Sequence, residues 1–181
     1  VHLLMENKTA AAENLKRAVA LDPKFVPARV AQAQMAMRAK KPEEALVVAR
    51  QLQKDEPKST VGYELEGEIL LAQQKTAPAI AAFEKAYALS NSSSHLLKIS
   101  EILKQSGKES DAQARLVKYH AANPKDQVVG LLIADSYLSK RQFKQAIPSL
   151  EATIKANPSN AAALNNLAWA YQQEKDPRAL P

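Results

Sequence analysis

Apolar residues recur along the chain at intervals of three and four positions, in a series of short stretches. This spacing places the apolar side chains on one face of an α-helix, so each stretch predicts an amphipathic helix. Short polar turns containing Pro, Asn or Asp separate the stretches, and these residues interrupt helices. The pattern therefore predicts a chain built from short helices, with no sign of the two-residue alternation that β-strands show.

The turns recur at a nearly constant spacing. The last residues of the turn tripeptides stand at positions 23, 57, 91, 124 and 158, which are 34, 34, 33 and 34 residues apart. Two amphipathic stretches lie between successive turns, so the repeating unit is a helical hairpin. Four complete repeats are predicted at 26–59, 60–92, 93–126 and 127–160. A partial repeat at 1–25 contains mainly a second helix, and one at 161–181 contains mainly a first helix, so we expect a single array from a longer protein.

The small and apolar positions of the unit resemble the tetratricopeptide repeat (TPR) motif. The second repeat, read from position 60, shows the match at offsets 4, 8, 20, 24 and 27 with Tyr63, Gly67, Ala79, Phe83 and Ala86. Small residues at offsets 8 and 20 allow the two helices of a hairpin to approach closely. The resemblance implies an all-α fold, a right-handed α-solenoid of TPR hairpins, which is an α-α superhelix.

The composition agrees with this fold and excludes several kinds of function. The chain contains 33 Ala but only 4 Gly and no Cys, which rules out disulfide scaffolds, thiolate zinc sites and cysteine nucleophiles. Aromatic residues make up 5% of the chain, too few for a platform that stacks nucleic-acid bases. We therefore expect no sequence-specific nucleic-acid binding.

Candidate catalytic groups are scattered. His2, His95 and His120 lie far apart without the spacing of metal ligands, and we expect all three to be ordinary surface or loop residues. No glycine-rich phosphate cradle is present. Pro148 lies deep inside a predicted helix, where a kink or a lost hydrogen bond is expected. The sequence predicts no enzyme, no cofactor and no metal site.

The candidate binding surface follows from the repeat numbering. In TPR arrays, as the resemblance implies, the first helix of each hairpin lines a concave groove. The residues at these inward offsets form an acidic and an apolar stripe, and the predicted partner-binding groove consists of Val30, Gln34, Met37, Glu64, Glu68, Leu71, Leu97, Glu101, Leu131, Asp135, Leu138, Asn165 and Trp169. This groove predicts a protein or peptide partner with basic and apolar side chains. The alternative is a solvated inner face that binds nothing.

Positive charge concentrates near the turns inside the hairpins. The chain has a formal net charge of +6, and a predicted basic edge consists of Lys40, Lys41, Lys75, Lys108, Lys140 and Arg141. Such an edge is suited to an anionic polymer, a lipid surface or an acidic protein. The alternative is that these residues only complement the negative ends of helix dipoles, where Lys and Arg are favoured.

The last repeat allows a narrower comparison. Residues 157–171, continuing through 176–179, resemble the C-terminal repeats of the PEP-CTERM system TPR-repeat lipoproteins of bacteria. That resemblance implies a non-catalytic scaffold in an exopolysaccharide or protein export and surface-sorting system. It also implies a place in the periplasm, with membrane association only through an N-terminal lipid anchor outside this chain. A cytosolic assembly or co-chaperone adaptor and a regulatory TPR arm of a larger enzyme are the alternatives. A homodimer through exposed terminal repeats is a further expectation.

Overall fold

The chain is all-α over the range that the computed structural model describes. The model describes the backbone of residues 2–179 and the side chains of residues 10 and 12–179; residues 1, 180 and 181 of the two predicted partial repeats lie outside this range. Within it are ten α-helices and no strand: α1 (His2–Leu21), α2 (Val26–Arg38), α3 (Pro42–Asp55), α4 (Val61–Ala72), α5 (Thr76–Ser90), α6 (Ser93–Gln105), α7 (Glu109–Ala122), α8 (Gln127–Leu138), α9 (Phe143–Ala156) and α10 (Ala161–Glu174).

Each of the four predicted complete repeats contains one pair of these helices. Several helices begin where the sequence offers a start signal. Asp126 caps α8 by accepting a hydrogen bond from the Val129 N–H at 3.1 Å, and Asn160 caps α10 by accepting one from Ala163 at 3.0 Å. Such caps satisfy N–H groups that have no partner inside the helix. α3 begins with Pro42, which is tolerated in the first turn of a helix.

The first helix of every hairpin ends in the same way. In the turn that follows each of these helices, a single residue adopts a left-handed conformation with a positive φ. These residues are Lys40 (59°), Gln74 (60°), Gly107 (74°), Arg141 (58°) and Lys175 (54°). The next N–H then reaches back to a carbonyl five residues earlier, as in Lys41 N to Ala36 O at 2.9 Å. This is the Schellman ending of a helix, and it sets the tight turn into the second helix.

The chain divides into two compact units, residues 1–95 and 96–181, and the division falls within α6. In the first unit, the helices α2 to α5 pack as consecutive neighbours. Their core contains Ala33, Leu46, Leu52, Leu65 and Ile69. Arg29 is also buried, and its guanidinium binds the Asp55 carboxylate at 2.6 Å. A buried charge requires such a partner.

In the second unit, α7 to α10 pack as consecutive neighbours, and α10 also contacts α8. The core between α8, α9 and α10 is formed by Ala134, Leu138, Phe143, Leu150 and Ala163. α9 continues through Pro148. Because proline has no N–H, the carbonyl of Lys144 loses its donor at that turn, as expected.

Two glycines lie at close contacts between neighbouring helices. A Cβ atom at Gly67 in α4 would stand 2.7 Å from the Phe83 ring in α5. A Cβ atom at Gly130 in α8 would overlap Thr153 Oγ1 and stand 2.9 Å from His120 Cε1. Real side chains do not tolerate such distances, so glycine at these two positions is required by packing.

Candidate partner-binding surface

Three predicted groove residues meet in the first unit. Gln34, Met37 and Glu68 line a recess of about 280 Å³ together with Arg38, Leu65 and Ile69. α2 supplies one wall of this recess and α4 the other. We call it the inner recess. Its wall combines apolar atoms with one carboxylate and one guanidinium.

The apolar groove residues of the first unit are only partly exposed. Val30, Met37 and Leu71 are half-buried and pack against the core. An apolar side chain that also supports the core is a rigid contact surface, because its rotamer is already restricted. Glu68 is exposed beside them.

Glu64 does not stand free on the inner face. Its carboxylate accepts a hydrogen bond from His95 Nε2 at 2.7 Å, and Ser90 Oγ lies 2.9 Å from the other ring nitrogen. Partial burial tends to raise the pKa of Glu64, but the hydrogen bonds from Thr60 and His95 and the electrostatic influence of His95 outweigh it, so the pKa is lowered overall. The residue therefore stays ionised at neutral pH and is already paired within the chain.

The second unit places its predicted groove residues in different environments. Leu97 is half-buried, and Glu101 is exposed with its carboxylate 3.6 Å from Lys98 Nζ. Leu131 is half-buried against the core. Asp135 is exposed and accepts a hydrogen bond from Asn166 at 3.2 Å. These residues remain candidates for a binding surface.

Leu138 is a correction to the predicted groove. Its side chain is only 5% exposed and belongs to the core of the second unit. In this repeat the residue at offset 12 packs into the hydrophobic core that also contains Phe143 and does not line the groove. A partner has no access to Leu138.

The last helix, α10, contributes an exposed aromatic side chain to the predicted groove. Trp169 is 42% exposed, and its ring packs edge-on against Phe143 with the ring centroids 5.0 Å apart. Asn165 on the same helix is exposed. Aromatic side chains held by such contacts are frequent anchors in protein interfaces.

The residues of the predicted basic edge are exposed and partly neutralised. Lys41 pairs with Glu44 at 2.8 Å, Lys75 lies 3.9 Å from Glu43, and Lys140 pairs with Glu109 at 3.0 Å. These acids lie in the first turns of α3 and α7, where a negative charge complements the helix dipole. Lys40 and Arg141 occupy the left-handed positions of their turns, and Lys108 precedes α7. Much of this edge is therefore explained by local helix structure.

The histidines do not match the expectation of ordinary surface residues. His120 is only 4% exposed, and His95 is half-buried in the hydrogen-bond chain to Glu64; the side chain of His2 lies outside the described residues. The sequence contains an indication of this burial: Ala112, Leu116 and His120 are spaced four residues apart, which places all three on the same face of α7. Among the side chains that the structure describes, no group of three His, Asp or Glu is arranged to hold a metal ion.

The last described residues of the second unit contact its helices α9 and α10. Arg178 binds Asp176 through two nitrogens at 2.7 and 2.9 Å and Glu151 at 2.7 Å, and it stacks over the Tyr171 ring at 4.4 Å. Burial and the hydrogen bond to Glu151 raise the pKa of Tyr171 to about 12. Residues 176–179 form a turn after α10.

Helical hairpins of constant length with small residues at their contacts define an all-α repeat protein. A family model described as tetratricopeptide repeat matches residues 2–60 and 131–180, which is more than half of the chain. The chain belongs to the tetratricopeptide repeat family, and the predicted fold class, an all-α TPR solenoid, is confirmed. Proteins of this family bind peptide or protein partners and are typically non-catalytic.

Solved structures show the same fold at low sequence identity. A crystal structure of MamA matches with a TM-score of 0.58 and 17% identity over 87% of this chain and 93% of that one. Pseudomonas aeruginosa pilF matches with a TM-score of 0.58 and 20% identity over 97% and 80%. YrrB, described as a TPR protein with an unusual peptide-binding site, matches with a TM-score of 0.53 and 14% identity over 91% and 86%. No curated protein sequence matches the chain.

No helix among the described residues is both long enough and apolar enough to cross a membrane.

Proposed function

We propose that this chain is a non-catalytic interaction scaffold that binds a partner segment on the inner faces of its first helices. The inner recess carries the proposal, because there the apolar Met37 lies in one pocket with the carboxylate of Glu68. A side chain such as Lys or Arg places its carbon stem against apolar atoms and its charge on a carboxylate. The preferred segment therefore contains basic and apolar residues together.

Acidic groups recur on the first helices of later hairpins and support the same partner. Glu101 and Asp135 are exposed on α6 and α8. In contrast, Glu64 is held by His95 and contributes mainly to the local structure. Exposed carboxylates attract a basic segment and speed its association, and they do so less at high salt.

A peptide-binding measurement tests this proposal. Three labelled peptides of equal length are compared by fluorescence anisotropy: one that combines Lys and Leu, one that combines Lys and Ser, and one that combines Glu and Leu. We expect the Lys and Leu peptide to bind at least tenfold more tightly than either of the others. The triple variant Glu68→Lys, Glu101→Lys, Asp135→Lys should lose this binding.

The matched control changes the same number of charges elsewhere. Glu56, Asp111 and Glu174 are exposed at helix ends or turns, and their triple change to Lys gives the same net charge as the groove variant. Circular dichroism establishes that both variants are folded. Equal loss of binding in both variants would show that only net charge matters and would reject the inner-face site.

The cellular setting is a second part of the proposal. The resemblance of residues 157–171 to PEP-CTERM system lipoproteins supports a scaffold of bacterial export or surface sorting in the cell envelope. Capture of partners from the native host with this chain, beside the groove triple variant, tests it. Envelope or polysaccharide-export proteins retained only by the unaltered chain would support this setting, and a set of purely cytosolic partners would favour the adaptor alternative.

Self-association is also proposed, through the exposed side chains of α10. Leu164 and Trp169 are 44% and 42% exposed there. Sedimentation equilibrium of the unaltered chain and of Leu164→Ser distinguishes a dimer through this helix from a monomer.

A further inference from the structure

A separate pocket lies in the first unit, where residues of α1, α2 and α3 come together. It has a volume of about 370 Å³, and none of its lining residues belongs to the inner recess. Arg29 and Asp55 are the only charged residues in its wall. We call it the Arg29 pocket. Most of the remaining wall is apolar and consists of Val19, Pro23, Val47 and Val48.

The guanidinium of Arg29 is buried but only partly paired. The residue is 6% exposed, and its Nη1 donates a hydrogen bond to Asp55 Oδ2 at 2.6 Å. The other two nitrogens, Nε and Nη2, have no hydrogen-bond partner among the described residues, and neither is sealed from solvent. Their N–H groups lie along one edge of the planar guanidinium and form a fork of two donors. The wall of the pocket therefore contains a buried cation with a free pair of donors.

Asp55 holds this guanidinium in a fixed orientation. Besides the bond from Arg29, its Oδ1 accepts a hydrogen bond from Gln51 at 2.9 Å. The hydrogen bonds from Arg29 and Gln51 and the positive charges of Arg29 and Lys24 lower the pKa of Asp55, although burial opposes them. The carboxylate is therefore ionised at neutral pH. Because the guanidinium is already ordered, a ligand that binds the free fork loses less entropy.

The charged pair occurs in only one of the four complete repeats. Arg29 stands at offset 4 of the first complete repeat and Asp55 at offset 30. In the other three repeats, offset 4 is Tyr63, Leu96 and Gly130, and offset 30 is Leu89, Ala122 and Ala156. The packing of a hairpin thus does not require this pair, and apolar residues can often replace a buried ion pair without loss of stability. A ligand for the free fork would explain why the pair is present.

The fork and the wall indicate what kind of molecule fits. A carboxylate matches the fork best, because its two oxygens accept two parallel hydrogen bonds from a guanidinium. The valines of the wall require an apolar body, since an apolar group gains free energy when it leaves water. A ligand ammonium group is disfavoured, because both oxygens of Asp55 already accept hydrogen bonds and Arg29 is positively charged.

We propose that the Arg29 pocket binds a small monocarboxylic acid with a branched aliphatic body, whose carboxylate accepts two hydrogen bonds from Nε and Nη2 of Arg29. This site does not rest on the proposed binding of a partner segment by the first helices.

Three matched probes test the proposal on the full chain. 4-Methylpentanoate has both features, 4-methylpentanamide replaces the carboxylate with a neutral group of similar shape, and acetate lacks the branched body. Titrations followed by two-dimensional NMR should show 4-methylpentanoate bound at least about tenfold more tightly than either of the others, because hydrogen bonds to a charged group and apolar burial each supply such a difference. Amide shifts should map to α1, α2 and α3, and the Nε–H signal of Arg29 should move.

Two further probes distinguish a free acid from other sources of a carboxylate. Leucine adds an ammonium group, and N-acetylleucine presents its carboxylate as the C-terminus of a peptide does. Both should bind at least about fivefold more weakly than 4-methylpentanoate, because their polar groups would lose water against the valines of the wall. Tighter binding of N-acetylleucine would assign the pocket to a peptide C-terminus and overturn the proposal of a small acid.

Matched variants locate the site. Val47 lines the pocket and is 69% exposed, so Val47→Glu places a repelling carboxylate at the rim; it should weaken binding of 4-methylpentanoate at least about tenfold. Leu89→Glu makes the same change of charge at a residue of the first unit that is 44% exposed and does not line the pocket, and it should leave binding unchanged. Arg29→Lys keeps a positive charge beside Asp55 but has no fork, and it should also bind at least about tenfold more weakly. Circular dichroism establishes that each variant is folded.

The proposal is rejected if 4-methylpentanoate does not bind or if its shifts map to other helices. It is also rejected if Val47→Glu binds as tightly as Leu89→Glu, a comparison that stands even if Arg29→Lys does not fold. Equal affinity for 4-methylpentanoate and 4-methylpentanamide, or unchanged binding by a folded Arg29→Lys variant, would reject it as well, because the fork would then have no part in binding.

Discussion

The ring of one buried phenylalanine explains the glycine at position 67. The ring of Phe83 is 3% exposed, and three of its carbons lie within 2.9 Å of the place where a Cβ atom at Gly67 would stand. A buried ring has little space to move because protein interiors are close-packed. The sequence indicates a small residue at this offset, and the ring contact explains why it is glycine in this repeat.

We expect Gly67→Ala to destabilise the chain by about 1–3 kcal/mol, the usual cost of overpacking, reduced by the better helix propensity of alanine. Urea unfolding followed by circular dichroism measures the change. The double variant Gly67→Ala, Phe83→Leu should recover part of the loss, because the shorter side chain makes room for the new methyl group. A stabilised Gly67→Ala variant would show that the contact is not rigid.

A second prediction at this scale concerns the pH dependence of Glu64. Its pKa in the folded chain is below the reference value of 4.5, so the carboxylate contributes stability above pH 4.5. That contribution is lost as the pH falls through the lower pKa of the folded state. Glu64→Gln should therefore reduce the free energy of unfolding at pH 6 and have a smaller effect near pH 3.

Urea unfolding at both values of pH measures this difference, with Glu56→Gln as a control for the removal of one exposed carboxylate. A loss of stability that is equal at pH 6 and pH 3 would assign the effect to packing rather than to the ionised group.

The same backbone conformation ends the first helix of successive hairpins, although the residue that adopts it differs. Five first helices end with a residue of positive φ, and only one of these residues is glycine. A side chain in this conformation costs about 1 kcal/mol or more because Cβ approaches the backbone. The basic edge is in part a consequence, since Lys40 and Arg141 occupy two of these positions.

We expect Arg141→Gly to stabilise the chain by about 1 kcal/mol and Gly107→Ala to destabilise it by about the same amount. No atom lies within 4 Å of a Cβ placed at Gly107, so the second change tests the backbone conformation alone. Thermal and urea unfolding measure both changes. Arg141→Asn, which also removes the charge, should fall between arginine and glycine; equal stability of all three would contradict the argument.

At the scale of the whole molecule, stability is divided between two units with separate cores. Repeat proteins are stabilised mainly by contacts within each repeat and with its neighbours. A cavity in one core should therefore weaken that unit first. Leu150 in α9 is fully buried and is the natural place to create one.

Leu150→Ala should destabilise the second unit by about 2–5 kcal/mol. Hydrogen exchange should show a large loss of amide protection in α8, α9 and α10 and a smaller loss in α2 to α5. Leu46→Ala, in the core of the first unit, provides the reciprocal comparison. An equal loss of protection along the whole chain would show that the two units unfold as one.

The repeat pattern was enough to predict the class of fold and the helix pairs. A period of 34 residues and the three-and-four spacing of apolar positions depend only on local geometry, so helices, turns and the TPR family follow from them. The offset within a repeat sets the direction of a side chain, and Gln34, Met37 and Glu68, which were predicted to share one surface, line one recess. Partner binding at that recess stays a prediction.

Other features depend on contacts between residues distant in sequence. Leu138 is buried because it packs in one core with Phe143 and other residues of the second unit. Glu64 is paired because His95, in the next hairpin, reaches its carboxylate. His120 is buried because its side chain lies where residues of α7, α8 and α9 come together. The sequence by itself determined the repeating helices, whose period is a local property; only the tertiary structure decided which polar groups are paired and where space remains, because both depend on how the helices pack.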